Sequence, residues 1–130
     1  MKKDICSFEY KELQEEMKAL GEKSFRAGQI YDWLHVKLCG SFSEMTNLSK
    51  SLREKLEQEY EILPAEMEER QISAIDGTNK FLFRLYDGNM VESVLMRYKH
   101  GNSVCISSQA GCRMGCVFCA STIGGLNRNL

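Results

Sequence analysis

The chain of 130 residues has one proline, Pro64, one tryptophan and two histidines. Such scarcity of proline, with no low-complexity stretch, excludes a proline-rich linker or a disordered tract. No run approaches the roughly 20 apolar residues that cross a bilayer, so no membrane partner is expected. The opening "MKKDICSFEY" carries two lysines with no apolar core behind them. It does not read as a secretory signal, and the expected compartment is the cytoplasm. Charge of one sign is also missing: 17 Lys and Arg stand against 18 Asp and Glu. That balance exerts no global pull on a polyanion and leaves room only for a local basic face.

What is present is a globular composition, 43% hydrophobic and 27% charged. Six cysteines occur, three of them within "CRMGCVFC", at Cys112, Cys116 and Cys119. In a reducing compartment, clustered thiols hold metal or do chemistry more often than they form disulfides. Cys6 and Cys39 lie in helical surroundings and read as buried core thiols. A zinc site needs four ligands, commonly in two knuckles. There is no second pair, His35 and His100 lie far upstream, and Cys105 sits seven residues before the triplet. An iron–sulfur cluster held by three cysteines leaves one iron open to another ligand. Zinc and iron–sulfur both remain open on spacing alone.

The fold class expected is α+β. Residues 1–63 read as a small helical bundle. In "FEYKELQEEMKALG", Leu13, Met17 and Leu20 fall at helical spacing, with Ser7 as cap and Gly21 as stop. "SFRAGQIYDWLHVKLCG" follows, with Ser24 as cap, Ile30, Trp33, Leu34 and Leu38 on one side, and Gly40 as the left-handed terminator. "LSKSLREKLEQEY" spaces Leu48, Leu52 and Leu56 four apart. From Pro64 the pattern turns extended, and residues 64–102 read as a β-hairpin link. "KFLFRLY" and "MVESVLMRY" alternate around the turn "DGN", and "KHGN" leads to a third strand, "SVCISS". Residues 103–130 read as the start of a further domain that the sequence does not complete, the expected beginning of a (β/α) partial barrel. The chain is accordingly read as the N-terminal piece of a larger protein.

Cys-x3-Cys-x2-Cys, with Phe118 before the last cysteine, resembles the hallmark of radical S-adenosylmethionine enzymes. The wider block "VCISSQAGCRMGCVFCASTIGGLNRNL" is more specific. It closely resembles the cluster region of the RlmN family, dual-specificity RNA methyltransferases that methylate adenosine C2. The likeness extends through "GNMVESVLMRY" and "KSFRAGQIYDWLH". The sister Cfr branch, acting on adenosine C8, is a related but less similar alternative. Another radical enzyme, or a metal-stapled binding module without catalysis, is a further reading.

The resemblance implies a 4Fe-4S cluster on Cys112, Cys116 and Cys119, whose open iron binds S-adenosylmethionine. It makes Glu92 the catalytic proton acceptor and Cys105 a second functional cysteine that resolves a covalent RNA–enzyme intermediate. A methyl-carrying cysteine near the family's C-terminus has no counterpart here, so the 130 residues alone are expected to be inactive. The implied partners are ribosomal RNA, transfer RNA and a flavodoxin-like electron donor, with the protein a monomer. Lys23, Arg26, Lys37, Lys50, Arg53 and Lys55 are candidates for an RNA-facing helical surface, with Tyr31 and Trp33 as stacking candidates. Read without the resemblance, these are solvated surface and core residues, Glu92 is the outward residue of an alternating strand, and Cys105 a small strand residue.

Overall fold

The computed structural model describes residues 2–130. They form two compact units, Met1–Leu63 and Pro64–Leu130. The architecture is α+β, with three α-helices in the first unit and most of the strands in the second.

In the first unit, strand β1 (Lys3–Asp4) pairs in parallel with β2 (Tyr60–Glu61), which follows the last helix. Helix α1 (Tyr10–Ala19) begins at Glu9, not at Ser7. A capping box forms there, with Glu12 Oε2 accepting from the Glu9 amide at 2.8 Å. Two carboxylates at this end also suit the helix dipole. The Ser7 hydroxyl instead donates to the Asp4 carbonyl at 2.8 Å, closing a 3-10 turn at Ile5–Ser7. Gly21, at φ +74°, follows the end of α1. Helix α2 (Phe25–His35) takes Ser24 as its N-terminal flank, without a side-chain cap. Past its end it is Leu38, at φ +54°, that adopts the left-handed conformation expected of Gly40. Helix α3 (Lys50–Glu59) is capped by Ser49, whose hydroxyl accepts from the Leu52 amide at 3.3 Å.

The apolar stripes meet in one core. Leu13 and Met17 of α1, Ile30 and Leu34 of α2, and Leu52 and Leu56 of α3 are all buried, with Phe42 and Met45 closing it from the connecting segment. Each such burial contributes roughly 1.5–3 kcal/mol. Polar ties fix the ends. The Tyr60 hydroxyl donates to Glu16, which also accepts from Lys3 Nζ at 2.9 Å. Those two donors, the hydroxyl first, hold the Glu16 carboxyl below the usual carboxylate range, while burial pushes the Tyr60 phenol up.

The second unit is a four-stranded antiparallel meander of β3 (Glu66–Ile72), β4 (Asn79–Arg84), β5 (Met90–Tyr98) and β6 (Gly101–Cys105), in that order. A separate two-stranded hairpin joins β7 (Gln109–Gly111) to β8 (Leu126–Asn129). Ser103 lies within β6, whose partner is β5. Among the described residues from Pro64 onward there is no α-helix and no parallel strand pair. The expected opening of a (β/α) barrel is therefore not seen here. After β6 the chain folds back antiparallel because the glycines flanking the cysteine loop let its two ends approach.

Candidate active site

Sheet register decides which side chains can meet. Glu92 lies opposite Leu82, and Cys105 lies opposite Val94. Side chains alternate faces along a strand and paired residues share a face. Glu92, Val94 and Cys105 therefore share one face, with Glu92 and Cys105 as diagonal neighbours at about 7–8 Å between Cα atoms. Lys80 stands opposite Val94 on the other side. Its Nζ pairs with Glu92 Oε1 at 2.9 Å, with both side chains about half exposed. Cys105 is exposed. The Ser107 hydroxyl donates to the Glu92 carbonyl at 2.7 Å, tying the chain beyond β6 back to β5. Glu92 also lines a cavity of about 600 Å³, with Leu82, Ile106, Gln109 and the loop glycines Gly111 and Gly125 among its walls.

The cysteine triplet lies on the loop between β7 and β8. At its base the Cys112 amide donates to the Gly125 carbonyl at 3.0 Å. Gly111 sits at φ +79°, and a Cβ there would lie 2.1 Å from that same carbonyl oxygen. Only glycine meets both demands. Inside the loop the Thr122 hydroxyl lies within bonding distance of the Cys116 and Cys119 carbonyls, at 2.8 and 2.9 Å. Cys116 and Cys119 are exposed and Cys112 half-buried. Phe118 is 96% exposed, so it shields nothing in this structure. A concavity of about 480 Å³ opens beside Cys116, Phe118 and Cys119. Among the described residues no three His, Cys, Asp or Glu side chains converge to hold a metal. As a donor set, three thiolates on one glycine-flanked loop do fit an iron–sulfur cluster. The sulfurs are available on the loop and are not gathered.

The chain matches the family of the ribosomal RNA large subunit methyltransferase N-terminal domain over residues 3–62. Two curated relatives are named "Probable dual-specificity RNA methyltransferase RlmN". The one from Lachnoclostridium phytofermentans is 65% identical over 98% of this chain and 36% of its own length. The one from Lachnospira eligens is 61% identical over the same shares. A crystal structure of a radical SAM methyltransferase from Sphaerobacter thermophilus superposes with a TM-score of 0.82 at 38% identity, covering 98% of this chain and 38% of that one. The chain matches the N-terminal segment of RlmN-type proteins. It spans just over a third of the length of the curated relatives it matches.

Several features of this chain escaped sequence reasoning. The Lys80 partner of Glu92 needed the β4–β5 register, which the alternation and the "DGN" turn could have supplied. The hairpin of β7 and β8 is tied to that turn by Arg128 pairing with Asp87 and by Asn127 Nδ2 donating to Asn89 Oδ1 at 2.8 Å. The Arg128 guanidinium, followed by the Asn89 side, draws the Asp87 carboxyl down to about 2. The suggested RNA-facing cations of the helices are mostly engaged. Lys37 pairs with Asp32, Lys50 with Glu54 and Lys55 with Glu22. Arg26 donates to Gln29, and Arg53 to the Ser43 carbonyl. Trp33 and Tyr31 are partly buried against the core, with Trp33 Nε1 donating to Asn47 Oδ1 at 2.6 Å. No helix is long and apolar enough to cross a membrane among the described residues.

Proposed function

We propose that this chain serves a cytoplasmic RNA methyltransferase that modifies adenosine C2 in large-subunit ribosomal RNA and in transfer RNA. The observation that supports this reading most is the 65% identity, spread over 98% of the chain, to a protein carrying the RlmN name. Cys112, Cys116 and Cys119 would hold a 4Fe-4S cluster that serves S-adenosylmethionine. When bound, that pair supplies a one-electron route to a carbon radical, which the electrophilic C2 position requires.

The remaining roles belong to the chain's own groups. Glu92 accepts the proton that leaves adenosine C2. Cys105, its diagonal neighbour on the same sheet face, supplies the thiolate that resolves the covalent link between RNA and enzyme. Lys80 keeps Glu92 fixed in the meantime through its 2.9 Å pair. The methyl-carrying cysteine of the family matches no residue of this chain. The helical unit, residues 1–63, helps present the base, and the enzyme works as a monomer with a flavodoxin-like electron donor.

Anaerobic reconstitution with iron and sulfide tests the metal reading. A brown protein carrying four irons, lost in Cys112→Ala, supports it, whereas colourless protein carrying zinc overturns it. Mass spectrometry of adenosines in RNA from cells lacking the gene tests the substrate. Unchanged 2-methyladenosine overturns the assignment, and loss of 8-methyladenosine instead moves the protein to the Cfr branch.

A further inference from the structure

The near-zero net charge conceals a division. All 18 acidic residues lie at or before Glu92. From Ser93 onward there are four basic residues, Arg97, Lys99, Arg113 and Arg128, and no acid. Arg128 is paired with Asp87. Among the described residues Arg97 and Lys99 form no ion pair, and both are exposed at the tip of the β5–β6 hairpin. Between and beside them stand two aromatic rings. Tyr98 and His100 stack with centroids 5.1 Å apart and planes 8° from parallel. Gly101, at φ +132°, completes the tight return opposite Tyr98.

We propose that this tip, formed by Arg97, Tyr98, Lys99 and His100, is an RNA-contacting element. The inference rests on the reading of the protein as an RNA methyltransferase and adds a contact surface to it. Two free cations flanking a stacked ring pair are the ingredients of single-strand recognition, phosphates on the cations and a base on the ring face. The tip lacks the Trp, Phe or Leu wedge of a membrane anchor, so an anionic lipid surface is disfavoured. Register adds a position. Tyr98 follows Glu92 by six residues along β5, so it lies on the same face, about 20 Å away at the rise of a strand. A single strand whose adenosine sits at Glu92 and Cys105 can thus lay a flanking base on the Tyr98–His100 platform. The helical unit offers less: ten Lys and Arg against twelve Asp and Glu, with Lys37, Lys50 and Lys55 already in ion pairs.

The test is fluorescence anisotropy of the 130-residue chain with labelled transfer RNA and with a large-subunit rRNA hairpin, at several salt concentrations. Each single-strand phosphate contact adds about 0.7 to the salt slope. Arg97→Ala/Lys99→Ala should therefore lower the slope by about 1.4 and weaken binding about 10- to 30-fold near 0.1 M salt. Tyr98→Ala/His100→Ala should weaken binding about fivefold or more with the slope unchanged, because stacking releases no counterions. Circular dichroism checks that both variants keep the wild-type fold. Lys18→Ala, exposed on the helical unit and outside the suggested RNA-facing set, should leave affinity unchanged. Wild-type binding that both tip variants retain overturns the inference and leaves the methyltransferase reading standing. So does equal affinity for polyglutamate or for phosphatidylglycerol vesicles, or no RNA binding by the wild-type chain. Failure of the methyltransferase reading shows separately, in the 2-methyladenosine measurement.

Discussion

Replacing Gly111 by alanine should open the cysteine loop at its base, whereas the same change at Gly125 should not. Both glycines have positive φ, +79° and +71°. A Cβ in that region costs about 1–2 kcal/mol at either site. The two differ in what the new carbon meets. At Gly125 nothing lies within 4 Å, while at Gly111 the Gly125 carbonyl oxygen lies at 2.1 Å. That atom is backbone, so the clash is relieved only by moving the strand. Moving it removes the Cys112 amide bond to the same carbonyl, now 3.0 Å, for about another 1 kcal/mol. The expected cost at Gly111 is thus about 2–3 kcal/mol plus unrelieved strain, against 1–2 at Gly125. A hairpin of three- and four-residue strands whose one fully buried apolar residue is Ala110 cannot absorb the larger figure. Hydrogen exchange at the amides of Cys112 and Leu126 reads the result directly. Loss of protection in Gly111→Ala but not in Gly125→Ala is expected, along with reduced iron uptake on reconstitution. Equal protection in the two variants would refute the close-approach argument.

Leu56, fully buried among the three helices, should cost about 2–5 kcal/mol on truncation to alanine, seen as a lower urea midpoint for the helical unit. Tyr60→Phe should remove about 1.5–3 kcal/mol, as a hydrogen bond to a charged carboxylate is lost. Glu16 titrates lower folded than unfolded, so its contribution is full above the ordinary carboxylate range and fades as pH falls through the folded value. The variant's pH–stability curve should be flatter there. Burial, ahead of the Asp4 carboxylate and the Cys39 thiol, pushes the Cys6 thiol up to about 11 from 9.0, leaving roughly 100-fold less thiolate at neutral pH. Iodoacetamide should label Cys105, Cys116 and Cys119 first and half-buried Cys6 and buried Cys39 last in peptide mass spectra; early labelling of Cys6 would contradict its raised thiol. Asp87, drawn down to about 2, should hold Arg128 throughout the neutral range and release it only as pH falls below about 4 toward 2. Protection of the β8 amides should fall over that window.

The helical unit was largely legible because its information is local. Leu52 and Leu56 repeat at helical spacing, and tertiary packing buries what periodicity marks. Its caps were less so. Ser7 has the chemistry of a cap, but its hydroxyl is taken by the Asp4 carbonyl, and a glutamate pair two residues on does the work. The meander was legible from alternation and turns. The return strand β8 was not, since "LNRN" carries no β pattern. Its pairing is made by distant partners, Asp87 and Asn89 in a turn some 40 residues earlier, and by a glycine contact that spacing cannot reveal. Charge misled for a different reason. A whole-chain balance averages an acidic stretch up to Glu92 with an acid-free remainder.

Register is the feature on which the proposed pairing of Glu92 with Cys105 depends. A slip of one residue between β5 and β6 would send Cys105 to the opposite face from Glu92, since alternation has period two. The exposed, polar surface of much of this sheet specifies register only weakly. The turn at Lys99–His100, the Gly101 conformation and the Ser107 bond to the Glu92 carbonyl therefore carry that specification. The same short hairpin end that presents two cations and a ring pair also fixes which thiol stands beside the carboxylate. Substitutions at Tyr98 and His100 act on exposed side chains and leave the pairing intact. A change at Gly101 alters the backbone return itself, and so reaches the Glu92–Cys105 pair from the far end of the strand.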